Sequence, residues 1–351
     1  MVHKNETAMI YTILHFLVDF TTIFFISNVL LGPTIGMVKR GCVIILYNIV
    51  AFAGQLPIGI ISDALNRSRT VTAIGCILAA IAYPTAFISP WTACALAAMG
   101  NGAFHIGAGS DILKMSMPKA GLPGLFVSSG ALGVWMAYKA NGIMFVWLCP
   151  IIMIAFSIFL LKTRKTRELR SKENVTGCSK PTVFVIAAVG CFALTVVIRS
   201  LLGTVMDFSW KATPIMSFLF VLALASGKAL GGYIGDKFGY IVTSVVSMIL
   251  AFALSFFAFE YWQAGILAVL CFNMTMPLTL TAIAGVSGEQ YGLAFGITTF
   301  ALAMGFIPVV VGANEWFGLP LLLGGILISL CLLVTGYILL RKFSNSGVKQ
   351  E

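Results

Sequence analysis

Gly54-Gln55-Leu56-Pro57-Ile58-Gly59-Ile60-Ile61-Ser62-Asp63 returns 173 positions later as Gly227-Lys228-Ala229-Leu230-Gly231-Gly232-Tyr233-Ile234-Gly235-Asp236. Two glycines, an isoleucine and the closing aspartate coincide, and the offset is nearly half of the 351 residues. Each copy closes an apolar run, so a glycine-bearing helix ending on an aspartate is expected once in each half of a duplicated chain. Lys228 stands where the first copy has Gln55.

Outward from these stretches the chain is apolar throughout. It is 59% hydrophobic and only 10% charged, with a mean hydropathy of +1.00, whereas roughly a quarter of a soluble domain carries charge. A bilayer-spanning helix uses about 20 apolar residues. A dozen of them leave room for short loops and exclude large extramembrane domains. Twelve apolar runs are found, near 8–31, 41–62, 70–88, 91–110, 121–138 and 143–161, then 182–203, 213–235, 240–259, 262–284, 291–311 and 319–340. The sequence therefore predicts an all-α integral membrane protein with twelve transmembrane helices in two six-helix pseudo-repeats. Residues 1–162 and 182–351 form the two bundles, and 163–181 is a basic linker between them.

The net charge of +10 is unevenly placed. With both termini and the linker on one side, Lys4, Arg67, Arg69, Lys114, Lys119, Lys237, Arg341, Lys342 and Lys349 join seven basic residues of the connection 162–180, sixteen in all. The other side holds Lys39, Arg40, Lys139 and Lys211. Basic residues are retained in the cytoplasm, so both termini are expected inside a plasma or inner membrane. This makes the charge a topology signal and not one for nucleic acid. The eight cysteines are scattered singly, without the spacing of a zinc site or a disulfide framework.

Gly59-Ile60-Ile61-Ser62-Asp63-Ala64-Leu65-Asn66-Arg67-Ser68-Arg69 resembles the loop 2–3 signature of the major facilitator superfamily, G-x-L-A-D-R-x-G-R-K. Gly232-Tyr233-Ile234-Gly235-Asp236-Lys237-Phe238-Gly239 is its second-half echo. The resemblance implies a conformational gate at Gly59, Asp63, Arg67, Gly232, Asp236 and Lys237, with the carboxylates holding basic groups or a helix N-terminus when the cytoplasmic side is closed. Ala64, Asn66 and Ser68 depart from the signature. Within the superfamily the chain resembles the fosmidomycin-resistance group of efflux carriers, on His15-Phe16-Leu17-Val18-Asp19, Gly100-Asn101-Gly102-Ala103-Phe104-His105-Ile106-Gly107-Ala108-Gly109-Ser110 and Phe126-Val127-Ser128-Ser129-Gly130-Ala131-Leu132-Gly133. That implies proton-coupled export. Ala137-Tyr138 replaces the Gly-Pro usual in helix 5 of drug-proton antiporters, which keeps uptake of an organic anion open as the competing direction.

Few polar groups fall inside the apolar runs. His15 and Asp19 share a helix face at i, i+4, and Asp19 is the one acid placed in mid-helix, a costly position that marks it for proton coupling, with His15 its partner. Asn101 and His105 repeat the spacing on helix 4. Arg199 and Lys228 bring two cations into helices 7 and 8, so with neutral histidines the cavity carries a net positive charge and favours an anion. Arg199, Lys228, His105, Asn101, Gln55 and Asn273 are the expected substrate contacts, with Thr275 and Thr279 as neutral additions. A salt bridge from Arg199 to Asp19 is the structural alternative. His15, Asp19 and His105 also offer the donor types of a transition-metal transporter.

The reading is a secondary carrier that moves a small polar, anionic molecule by alternating access with protons. It is expected to be a monomer in lipid, with no resident cofactor or metal. No nucleotide-binding Gly-x4-Gly-Lys-Ser/Thr loop and no His-Glu-x-x-His constellation occurs, so neither an ATP-driven pump nor an intramembrane enzyme is expected.

Overall fold

The computed structural model describes residues 4–31, 37–140, 142, 144–162, 183–312 and 318–347; the expected linker at 163–181 lies outside them. The described residues fold into twelve helical rods. In the first half these are α1 (Lys4–Leu30), α2 (Met37–Asn48, Ile49–Ala53 and Gln55–Leu65 in succession), α3 (Ser68–Thr85), α4 (Pro90–Ser116), α5 (Gly121–Lys139) and α6 (Met144–Lys162). In the second half they are α7 (Val183–Val205), α8 (Pro214–Phe238), α9 (Tyr240–Ser255), α10 (Trp262–Asn273 and Thr275–Gly285), α11 (Tyr291–Val310) and α12 (Leu319–Gly347). The last turns of α1, Phe25–Leu30, and the middle of α2, Ile49–Ala53, are wound as π-helix.

Local chemistry sets the ends. Ser89 and Thr213 cap α4 and α8, each accepting a hydrogen bond from the N–H three residues on, with proline at the first helical position. The rods following the repeated aspartates begin after residues of positive φ, Asn66 at 48° and Gly239 at 91°, again 173 apart. Asparagine tolerates the left-handed region better than other side chains, so Asn66 does the work of the glycine that the signature leads one to expect. Helix 4 runs to Ser116 instead of stopping near residue 110, because Asp111 is satisfied there: it accepts from Tyr11 Oη at 2.6 Å and from Ser68 Oγ, with Arg69 Nε 3.5 Å away. A charged residue with such partners does not end a helix.

Pairing of the rods repeats six helices on. In the first half α1 packs on α4, α5 and α6, α3 on α4 and α6, and α2 on α4. The second half repeats α7 on α10, α11 and α12, α9 on α10 and α12, and α8 on α10. The halves are joined by α2 against α11 and by α5 against α8. Small residues such as Ala73, Ala97, Ala98 and Ala268 lie buried between rods, while Ile60, Ile61, Ile74, Ile249 and Leu250 face outward. That inversion suits a lipid surround, where close backbone approach and not apolar side chains holds helices together.

Candidate functional site

Asp19 sits at mid-bundle on α1, its side chain 13% exposed. Its Oδ1 accepts from Asn101 Nδ2 at 2.9 Å and lies 3.7 Å from His105 Nε2; Oδ2 lies 3.2 Å from His15 Nε2. The i, i+4 spacings place His15 above Asp19 on α1, and Asn101 and His105 opposite them on α4. Gly130 of α5 makes the space, since a Cβ there would fall on His15 and Asp19. Both rings are oriented from behind: His15 Nδ1 is 2.7 Å from the Phe126 carbonyl oxygen, and His105 Nδ1 is 2.8 Å from that of Asn101. The two Nε2 atoms are 2.8 Å apart. Asn101 also donates to Thr22 Oγ1 at 3.2 Å, which receives Tyr47 Oη of α2 at 3.0 Å.

Arg199 lies on α7, 6% exposed. The carbonyl of Phe16 abuts Gly133 just as that of Val197 abuts Gly305, so in strict register Ser200 matches Asp19 and Arg199 is one residue before it. Its Nη2 donates to Thr275 Oγ1 at 2.7 Å and Nη1 to Thr279 Oγ1 at 3.4 Å, while Nε is buried without a partner. No carboxylate reaches it among the described residues. Asp19 and Arg199 form no ion pair there, so the two charges are held apart. Lys228 Nζ on α8 donates to the Val127 carbonyl at 3.4 Å and lies within electrostatic range of both Asp19 and Arg199. Gln55 is fully buried; its Nε2 donates to its own helix at Ala51, leaving Oε1 unpartnered. Asn273 Nδ2 likewise donates to Val269 on its own rod.

The repeated aspartates bind helix N-termini across the two halves. Asp63 at the end of α2 accepts from the N–H groups of Gly292 and Leu293 at 2.9 and 2.8 Å, opening α11. Asp236 at the end of α8 accepts from Ala120 and Gly121 at 2.7 and 2.9 Å, opening α5. Gly59 lies against the Gly292 backbone and Gly232 against that of Ala120, so a side chain at either would block the approach. Arg67 is exposed, and Lys237 stacks over Phe238 at 5.2 Å. The nearby arginine that finds a carboxylate is Arg69, on Asp111.

Among the described residues, His15, Asp19 and His105 are the one cluster with the donor types of a metal site, their ligand atoms within 4.8 Å of one another. Two nitrogens bound to one tetrahedral zinc at about 2.0–2.1 Å stand about 3.3 Å apart. The observed 2.8 Å is a hydrogen-bond distance instead.

No family model and no curated protein matches the chain. Solved structures do. The human organic anion transporter MFSD10 (TETRAN) aligns with a TM-score of 0.69 at 13% identity, over 97% of this chain and 100% of that one. A major facilitator superfamily transporter, FucP, in the outward conformation aligns at 0.65 and 14% identity, over 94% and 97%. The E. coli fucose:proton symporter FucP, in a second structure, gives 0.64 and 13%, over 95% and 97%. The chain has the major facilitator fold.

The polar groups span corresponding pairs of rods: Asp19 with Asn101 and His105 across α1–α4, and Arg199, one residue off the register of Asp19, with Thr275 and Thr279 across α7–α10. Sequence reading missed Thr22 and Tyr47, which back the Asn101 amide, and the carbonyls that orient the imidazoles. Thr22 carried a signal, since it lies three residues from Asp19 on the same face. The carbonyls carry none, because every residue has one.

Proposed function

We propose that this protein is a secondary active transporter that moves a small anionic molecule through a plasma or inner membrane by alternating access. The observation that carries the reading is Arg199: a buried guanidinium held by two hydroxyls, with Nε unpartnered and no acid beside it among the described residues. Burying a cation without a counter-ion is costly. A substrate carboxylate, phosphate or phosphonate would supply the missing charge bidentately, with Lys228 adding a second cation. Asn101, His105, Gln55 and Asn273 complete the substrate contacts.

Protons drive the cycle through Asp19 and His15, and the paired Asp63 and Asp236 contacts latch the cytoplasmic ends. Breaking them lets the halves rock, with Gly59 and Gly232 as the points of close approach and Arg67 and Lys237 as solvent-side charges. Both termini lie inside the cell, so single cysteines placed at Ser171 and Ser346 in a cysteine-free background react only from the cytoplasmic side. Labelling of either from outside intact cells overturns that orientation.

Export against protons follows from the resemblance to the fosmidomycin-resistance group. Uptake together with protons is the second reading, favoured by the proximity of Lys228 to Asp19. A proton arriving at the cluster of Asp19, His15 and His105 offsets the carboxylate charge and frees the ammonium to attract an anion, which couples the two with the same sign. Flux in proteoliposomes under an imposed pH gradient tests both, using the anion that most raises the melting temperature in a panel of carboxylates, phosphonates and phosphate esters. Accumulation on the alkaline side means co-transport with protons, and accumulation on the acidic side means exchange. Absence of uphill movement with every stabilising anion refutes the proposal.

A further inference from the structure

The two imidazoles face each other in a way that fixes their protons. A carbonyl oxygen only accepts, so His15 Nδ1 against Phe126 and His105 Nδ1 against Asn101 must both carry hydrogen. If both rings were neutral, each Nε2 would be a bare lone pair. Two lone pairs would then meet at 2.8 Å beside the carboxylate of Asp19, three acceptors turned on one another with no donor between them. One additional proton resolves the conflict. It makes one ring an imidazolium whose Nε2–H donates to the other Nε2, with the Asp19 carboxylate beside it as counter-ion.

We infer that His15 and His105 share one excess proton between their Nε2 atoms, with Asp19 as its ionised counter-ion. The cluster is then neutral as a whole, which is the least costly state for a buried set. Asp19 does not itself carry the proton: Asn101 Nδ2 already donates to Oδ1, and a neutral carboxyl would leave the imidazole lone pairs opposed. The other groups facing the cluster are Lys228 of α8, within electrostatic range of Asp19, and Tyr47 of α2, whose hydroxyl is spent on Thr22. Neither reaches the Nε2 pair with a proton of its own. On uptake an O–H bond of hydronium breaks as the N–H bond forms and water leaves, and release runs the same exchange in reverse.

This deepens the coupling proposed above and rests on it for its meaning in transport, but its test needs no substrate. His3 is the chain's only other histidine, so a 15N-histidine spectrum of the protein in nanodiscs is assigned with His15→Gln and His105→Gln. At neutral pH the account expects both Nδ1 protonated and a single proton shared by the two Nε2 atoms. That signature is lost in either histidine variant, and in Asp19→Asn, with the melting temperature showing that each variant is folded. Both Nε2 atoms unprotonated, together with an infrared carboxyl band that vanishes in Asp19→Asn, would place the proton on Asp19 and overturn the inference. One equivalent of a transition metal that copurifies and is lost in His105→Gln would overturn it as well. A protein that shows the shared proton but accumulates nothing in proteoliposomes contradicts the transport reading and leaves the shared proton standing.

Discussion

Asp19 and Arg199 sit within one residue of the same register in the two halves, yet the carboxylate is met by two imidazoles and an amide whereas the guanidinium is met by two threonine hydroxyls and its Nε has no partner. The first charge is saturated from within the protein. The second has no carboxylate beside it among the described residues. On the proposed function the two halves would carry different tasks, the self-contained centre holding a proton and the incomplete one an anion. The pairing of rods and the two aspartate–helix contacts remain symmetric, so the two charged centres differ by a handful of side chains and not by the fold.

The comparison is broken most severely at its saturated end. Asp19→Asn keeps the hydrogen-bonding shape but removes the charge that holds the proton, so accumulation driven by a pH gradient falls to background while exchange of labelled for unlabelled substrate survives. Flux measured in both modes checks this. Making the second half resemble the first is next in size: Thr275→Asp gives Arg199 an internal counter-ion, and anion binding is expected to disappear while the melting temperature holds or rises. Retained binding would mean that Arg199 does not need its free charge. Asp63→Asn and Asp236→Asn each weaken charge-assisted contacts worth about 1.5–3 kcal/mol, a shift of about tenfold to a hundredfold in the balance between latched and open forms. Cysteine accessibility from the cytoplasmic face should rise in both variants, and to similar extents if the latches are equivalent. The smallest effect is at Thr279, whose contact at 3.4 Å is the longer of the two. Thr279→Val should cost a few-fold in anion affinity by titration calorimetry, less than the same change at Thr275.

Much of this was legible in the sequence because membrane helices write themselves in long apolar runs. The twelve rods were expected from them, and the 173-residue offset that aligned Asp63 with Asp236 reappears in the Asn66 and Gly239 turns. Helix ends were less legible. The sequence reading ends the fourth apolar run near residue 110, whereas the partners of Asp111 on α1 and α3 lie 100 and 43 residues away in sequence and let α4 continue. The π-wound segments in α1 and α2 had no sequence signal at all. Within the site, spacing at i, i+4 put His15 with Asp19 and Asn101 with His105, but not the two pairs against each other, since that depends on how α1 and α4 pack. The choice between an Arg199–Asp19 salt bridge and separate centres was open for the same reason.

The central claim is that Arg199, which has no carboxylate beside it among the described residues, binds an anion together with Lys228. The direct test is the dissociation constant of the most stabilising organic anion for the wild-type protein, Arg199→Ala, Arg199→Lys and Lys228→Ala, each shown to be folded by its melting temperature. Loss of a charge-assisted contact worth about 1.5–3 kcal/mol predicts affinity weakened about tenfold to a hundredfold in each alanine variant. Arg199→Lys should also be weakened, since it keeps the charge and loses the planar fork. Wild-type affinity in both Arg199→Ala and Lys228→Ala would contradict the account.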